Sequence, residues 1–241
     1  MARDEEDAEL VPGPRYRAQI RLGSAAYDDD VDRARLELDG GADVNRVCPY
    51  GGSPLRIAVD LGSVDVARLL LDRGANLHER VGGGGGVGRG SSLLHVAVFA
   101  QRNRVAITRL LVDRGLNVRQ TDDNGEAPLH VAAEHGHADV ASFLLDRGAE
   151  INHPGFLEDT PLIRAVMCGN ADVTRLLLRR GADIDRGPGG GALAHARQKH
   201  ASGQAPAGSA AAHVLHFEAA RAEVTRKLNA DIWLRVMPYT M

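Results

Sequence analysis

The chain has 241 residues, 44% of them hydrophobic but only 4% aromatic, and sets 29 basic against 32 acidic side chains for a formal charge of −3. That balance lacks the basic footprint on which a nucleic-acid binder depends, and no run of about 18 apolar residues is present to span a bilayer. The interior must therefore be built from Leu, Ala and Val, which suits thin, closely packed helix pairs.

Residues 1–16 open with MARDEEDAEL, acidic rather than charged-then-apolar, and carry Pro12 and Pro14. They are expected to form a disordered leader. Residues 17–47 hold two short apolar-periodic segments, with Ile20, Leu22, Ala25 and Ala26 on one face and Val31, Ala34, Leu36 and Leu38 on the next. Residues 48–80 repeat the pattern more sharply. Ser53 can cap a helix that Pro54 begins, and Ile57, Ala58, Val66, Leu69 and Leu70 supply the buried stripe. Residues 81–121 keep Leu94, Ala97, Ile107, Leu110 and Leu111 but are swollen by the loop VGGGGGVGRGS and by Ala100–Asn103. Residues 122–154 are the cleanest copy: Pro128 starts a helix, Gly136 ends it, and Gly148 can take the left-handed conformation that ends the next. In residues 155–187 Thr160 caps, Pro161 starts, and Ala165, Val173, Leu176 and Leu177 face inward. From residue 188 the register decays. A short helix near Gly191–Ala196, a Gly/Ala/Pro/Ser loop over 201–209 and a longer helix over about 210–229 form a C-terminal cap, with Val214, Leu215, Phe217, Val224 and Leu228 facing the array and Ile232, Trp233 and Val236 as a last apolar turn.

Two registers agree along the chain. Gly41-Ala42, Gly74-Ala75, Gly115-Leu116, Gly148-Ala149 and Gly181-Ala182 recur in steps of 33, 41, 33 and 33 residues. The helix-start tetrads are Ser53-Pro54-Leu55-Arg56, Ser92-Leu93-Leu94-His95, Ala127-Pro128-Leu129-His130 and Thr160-Pro161-Leu162-Ile163. Period and tetrad together resemble the ankyrin repeat family over roughly residues 18–187. The resemblance implies an all-α solenoid of stacked helix-turn-helix repeats joined by hairpin loops, non-enzymatic and free of cofactor, that binds a protein partner. It also implies a structural hydrogen-bonding role for His95 and His130, and it marks Glu158 as standing where the family prefers Gly.

Other motifs weigh little beside this. Gly83, Gly85 and Gly88 spell a dinucleotide fingerprint, but they follow a hairpin position rather than a strand that opens into a helix, and Arg89 and Gly90 stand where a phosphate loop needs Lys and Ser or Thr. His135-Gly136-His137 is spaced i, i+2 and shares no helix face. His213 and His216 share one, yet only Glu218 stands near to help complete a metal site. No nucleophile is paired with a base. Cys48 and Cys168 lie more than three repeats apart, too far for a disulfide, and so point to a reducing interior, cytoplasmic or nuclear. The Asp-Arg pairs on the second helices read as a solvated face.

By resemblance, partners meet the hairpin tips and the exposed ends of the first helices. These fall at Tyr50, Gly52, Asp60 and Leu61; at Phe99; at Asp123, Asn124, Glu126, Glu134 and His135; and at Phe156, Leu157, Asp159, Met167 and Cys168. Two fates are open for Phe156 and Leu157: folding back onto the decayed unit or the glycine loop, or joining Met167 in an exposed apolar anchor beside acidic neighbours. A monomer is expected. The segment from Leu228, LNADIWLRVMPYTM, faintly resembles the opening of an F-box, with Asn229 in place of the usual Pro. That makes a ubiquitin-ligase adaptor the alternative to a simple cap.

Overall fold

A computed structural model describes residues 13–49, 51–82, 89–204 and 206–236, with side chains in the last helix through residue 223. The described residues fall in two compact units, one within Met1–Val81 and Ser92–Leu116, the other within Gly82–Ser91 and Asn117–Met241.

The first unit contains α1 (Pro14–Asp28), α2 (Val31–Asp39), α3 (Pro54–Leu61), α4 (Val64–Asp72), α5 (Leu93–Val98) and α6 (Arg104–Asp113). Short strands β1 (Arg80–Val81) and β2 (Ser91–Ser92) flank the glycine loop. Each helix of a pair packs on its mate, the first helices α1, α3 and α5 line up in one layer, and α2, α4 and α6 line up in a second. The apolar stripe of each helix is thereby covered on two sides. Leu55, Leu70, Leu94, Ile107 and Leu111 are almost wholly buried, each contributing about 1.5–3 kcal/mol against exposure.

The second unit repeats the arrangement with α7 (Pro128–Glu134), α8 (Ala138–Asp146), α9 (Pro161–Cys168), α10 (Ala171–Arg179), α11 (Gly191–Ala201) and α12 (Ala210–Val236). Here α7 packs on α8 and α9, α9 on α10 and α11, and α12 lies against α10 and α11. Leu129, Leu144 and Leu162 are buried. This all-α stack is the solenoid expected from the sequence.

Hairpin tips share one geometry. Cys48 N–H donates to the Gly52 carbonyl, Asp122 N–H to that of Glu126, and Gly155 N–H to that of Asp159, at 2.8, 3.0 and 2.8 Å. Helix starts follow the expected chemistry. Ser53 Oγ accepts from Arg56 N–H and Thr160 Oγ1 from Ile163 N–H. Where the cap residue is Ala127, the histidine three residues on substitutes, its Nδ1 accepting from Ala127 N–H at 3.1 Å.

Several expectations need correction. Helix α1 begins at Pro14, inside the span read as leader, because Pro at the first helical position gives up a donor that has no intrahelical acceptor. Residues 1–12 lie outside the described residues. On α2 the inward positions are Ala34 and Glu37, while Leu36 is 69% exposed. Two residues past Ala34 on a helix is the opposite face, and Glu37 tolerates burial because Arg21 Nε sits 2.8 Å from its Oε1. Ile57 and Leu176 are half-buried, whereas Leu55, Val59 and Leu178 are covered. Of the cap residues, Val214 is buried, Leu215 and Phe217 are half-buried, and the side chains of Val224, Leu228, Ile232, Trp233 and Val236 lie outside those described. The last helix continues to Val236, past the expected end at Asn229.

Candidate functional site

In the second unit two hairpin tips and the first helices behind them build a charged cluster around Arg164. Asp122 organises the first tip: its Oδ1 accepts from both Asn124 N–H and Glu126 N–H at 2.9 Å. That fold aims Glu126 at Arg164, with which it forms an ion pair. From the end of α7, Glu134 Oε2 lies 3.3 Å from Arg164 NH1, and from the second tip Asp159 Oδ2 lies 3.6 Å from Nε. One guanidinium thus gathers three carboxylates. Arg164 and two of its partners, Glu126 and Asp159, are less than a fifth exposed, so their Coulomb interaction is only partly screened by water. Burial raises the Glu126 carboxyl above its ordinary range, with the opposing pull of Arg164 second and the push of Asp122, Glu134 and Asp159 after it.

His130 fixes the tips from beneath. Wholly buried, it accepts at Nδ1 from Ala127 N–H, while Nε2 lies 3.0 Å from the His153 carbonyl and 3.2 Å from that of Asp159. Two carbonyl acceptors at Nε2 and a donor at Nδ1 assign the neutral tautomer with its proton on Nε2. Burial foremost, with the charges of His153 and Arg164 assisting, brings its pKa down to about 4. His95 makes the matching bond in the first unit, Nδ1 accepting from Ser92 N–H at 3.2 Å.

The second tip is backbone-strained. Leu157 and Glu158 have φ of 57° and 63°, in the left-handed region, and the positions equivalent to Glu158 in other copies are Gly51, Gly90 and Gly125, also at positive φ. Glu158 takes the glycine conformation without being glycine. The chain turns at Phe156–Glu158 through these left-handed residues, with Phe156 50% and Leu157 71% exposed. Met167, one turn beyond Arg164 on α9, is 46% exposed, and Lys199 Nζ donates to its carbonyl at 2.9 Å. Cys168 beside it is exposed and unpaired in any disulfide. Burial, then Glu134, raises its thiol above the usual value.

The anticipated contact residues are thus distributed unevenly. Glu126, Glu134 and Asp159 converge on Arg164; Asp123, Asn124 and His135 are exposed beside them in the sequence. Phe156, Leu157, Met167 and Cys168 face outward on the same unit. Asp60 and Phe99 belong to the first unit, exposed and half-buried respectively, and Gly52 is buried. Leu61 is a correction as an exposed helix end: the last residue of α3, it is only 7% exposed and mostly packed against its neighbours. Tyr50 and Gly83–Gly88 lie outside the described residues. Within the acidic group, Glu126 and Glu134 are engaged by Arg164. Sequence reading missed Arg164, whose signal was a cation at the position filled by Ile57, Val96 and Val131 in other copies. It also missed Asp122. Among the described residues no three His, Cys, Asp or Glu side chains gather as metal ligands, and no helix there is long and apolar enough to cross a membrane.

The comparisons with known proteins agree with the repeat fold. The model for ankyrin repeats in three copies matches residues 83–155, and the single ankyrin repeat model matches residues 50–80 and 158–187. A rice protein (Oryza sativa subsp. japonica) named "Probable E3 ubiquitin-protein ligase XBOS32" is 35% identical over 121 residues, 49% of this chain and 23% of its own length. A second from the same organism, "Probable E3 ubiquitin-protein ligase XBOS33", is 31% identical over 119 residues, 48% of this chain and 21% of its length. The aligned part therefore spans less than a quarter of these relatives. With family models covering more than half its residues and the helix pairs, tips and tetrads in place, the chain belongs to the ankyrin repeat family.

Proposed function

We propose that this chain is a non-enzymatic protein-binding module whose second unit grips a partner at the tips over residues 122–126 and 155–159 and at the exposed ends of α7 and α9. The observation that carries this reading is the exposure of Phe156, Leu157 and Met167 on a unit whose nearby charges are already organised. Large exposed apolar side chains rimmed by polar groups are what protein interfaces use. Arg164 is outnumbered by Glu126, Glu134 and Asp159, so the rim stays acidic and favours Lys or Arg on the partner. Because His130 and Arg164 hold the tips in place, docking orders little new structure. In this reading residues 17–187 form five repeats and residues 188–241 a cap, one copy suffices, and the free cysteines suit the cytoplasm or nucleus.

The test is the double substitution Phe156→Ala with Met167→Ala. Affinity for a captured partner is expected to fall at least about tenfold, with the thermal midpoint moving by less than about 2 °C. A large drop in midpoint, or unchanged affinity, would refute the interface.

A second reading has support in the names of the rice relatives: an adaptor that presents substrates to a ubiquitin ligase through the segment from Leu228. Removing residues 228–241 should then abolish co-purification of a ligase scaffold while circular dichroism of the array is retained. Persisting co-purification would dismiss that segment.

A further inference from the structure

In the first unit, away from the tips just discussed, a groove of about 470 Å³ opens between α1, α3 and the turn after α5, lined by Gly23, Ser24, Tyr27, Ile57, Asp60, Leu61 and Gln101. Its volume lies in the range of small-ligand and side-chain pockets. The construction is specific. Gly23 and Ser24 are small and leave space above α1. Ile57 and Leu61, one turn apart on α3, form an apolar wall. The extra residues at Ala100–Asn103 bring Gln101 over the end of α3, where its N–H donates to the Asp60 carbonyl at 3.0 Å. Arg102 clamps this arrangement, Nε donating to the Leu61 carbonyl at 3.4 Å and NH2 to the Tyr27 carbonyl at 3.2 Å.

Three polar groups in the lining have no partner among the described residues: the Asp60 carboxylate, the Tyr27 hydroxyl and the Gln101 side-chain amide. Tyr27 is 63% exposed, so its ring is available as a face. An unneutralised carboxylate, an aromatic face, an amide oxygen and an apolar wall together complement one side chain. A guanidinium satisfies all four: it pairs with a carboxylate, lies flat on an aromatic ring, donates to an amide oxygen and carries an aliphatic stem for the wall. An ammonium offers no planar surface, and a neutral apolar chain leaves Asp60 unanswered. Arg102 does not fill this role, because its donors are directed to main-chain carbonyls.

We propose that the groove between α1 and α3 receives an arginine side chain of a protein partner, with Asp60 as its counter-charge and Tyr27 as its stacking surface. The inference shares with the preceding reading only the premise of a protein partner; it concerns other residues in another unit.

The full chain, labelled with ¹⁵N, is titrated with the blocked tripeptide Leu-Arg-Leu and with its citrulline and lysine counterparts. The arginine peptide is expected to shift the amide signals of Gly23, Ser24, Ile57, Leu61 and Gln101 saturably and to bind at least about tenfold more tightly than the citrulline peptide, which keeps shape and loses charge. Asp60→Asn should remove that advantage and Tyr27→Ala should weaken binding several-fold, with signals outside the groove unchanged in both free variants. Equal binding of the citrulline or lysine peptide, or shifts that stay the same in Asp60→Asn, would overturn the assignment. The Phe156/Met167 variant should titrate like the parent, so each result stands apart from the other.

Discussion

At the scale of single residues, His130 and Arg164 do different work under the same tips. His130 is a neutral strut whose two ring nitrogens are both committed, one as acceptor and one as donor. Its folded pKa of about 4 lies below the ordinary histidine value of 6.5, so the unfolded chain takes up its proton first on acidification. The contribution is therefore whole above pH 6.5 and is lost as pH falls toward 4, by about 3 kcal/mol at the limit. Glu126, its folded pKa raised, acts in the opposite sense, gaining stability on protonation and losing it as pH rises through its titration. Urea unfolding midpoints measured between pH 7 and pH 5 should fall steeply for the parent and flatten in His130→Gln. Identical slopes would show that His130 is not the titrating strut. The tetrad made His130 legible in the sequence as a structural residue. Its tautomer depends on two carbonyls 23 and 29 residues away, which no local pattern specifies.

Among elements, the inserted turn after α5 shows how an irregular copy is accommodated. Gly62 ends α3 at φ 75°, and a Cβ there would lie 1.7 Å from the Arg102 carbonyl oxygen. The insertion thus uses the space that glycine leaves, while Asn103 Nδ2 donates to the Gly62 carbonyl at 3.1 Å and satisfies the helix end. Asn170 does the same for α7, its Nδ2 reaching the Ala133 and Glu134 carbonyls at 2.7 Å. Gly62→Ala must adopt a left-handed conformation and displace a backbone, and is expected to cost roughly 2–4 kcal/mol in chemical denaturation. A loss below about 1 kcal/mol, the ordinary cost of a left-handed Ala alone, would mean that the turn moves freely. The second helices carry another feature concealed in sequence. The Asp-Arg pairs are rungs between successive copies: Arg73 meets Asp39, Arg114 meets Asp72 and Arg180 meets Asp146, at 2.8, 2.9 and 2.7 Å. Exposed as they are, each rung adds at most about 1 kcal/mol, and their service is to register rather than to affinity.

For the whole molecule, sequence alone determined the repeat period, the helix pairs, the capping residues and the family, because each of these is a local pattern written several times over. It also flagged Glu158 as a misfit, which the positive φ there explains. What only the tertiary structure decided is how neighbours from different copies combine. Leu61 turns inward and Leu36 outward, Arg164 draws in the carboxylates of two tips, and an insertion of a few residues converts the end of α3 into a groove. The physical reason is separation along the chain. A helix start is decided by residues three or four apart, but a buried charge or a pocket is decided by groups some 30 to 40 residues apart, as the pairing of Arg164 with Glu126 and of Arg102 with Leu61 shows. Once packing has removed their water, the partner such groups find sets their energy.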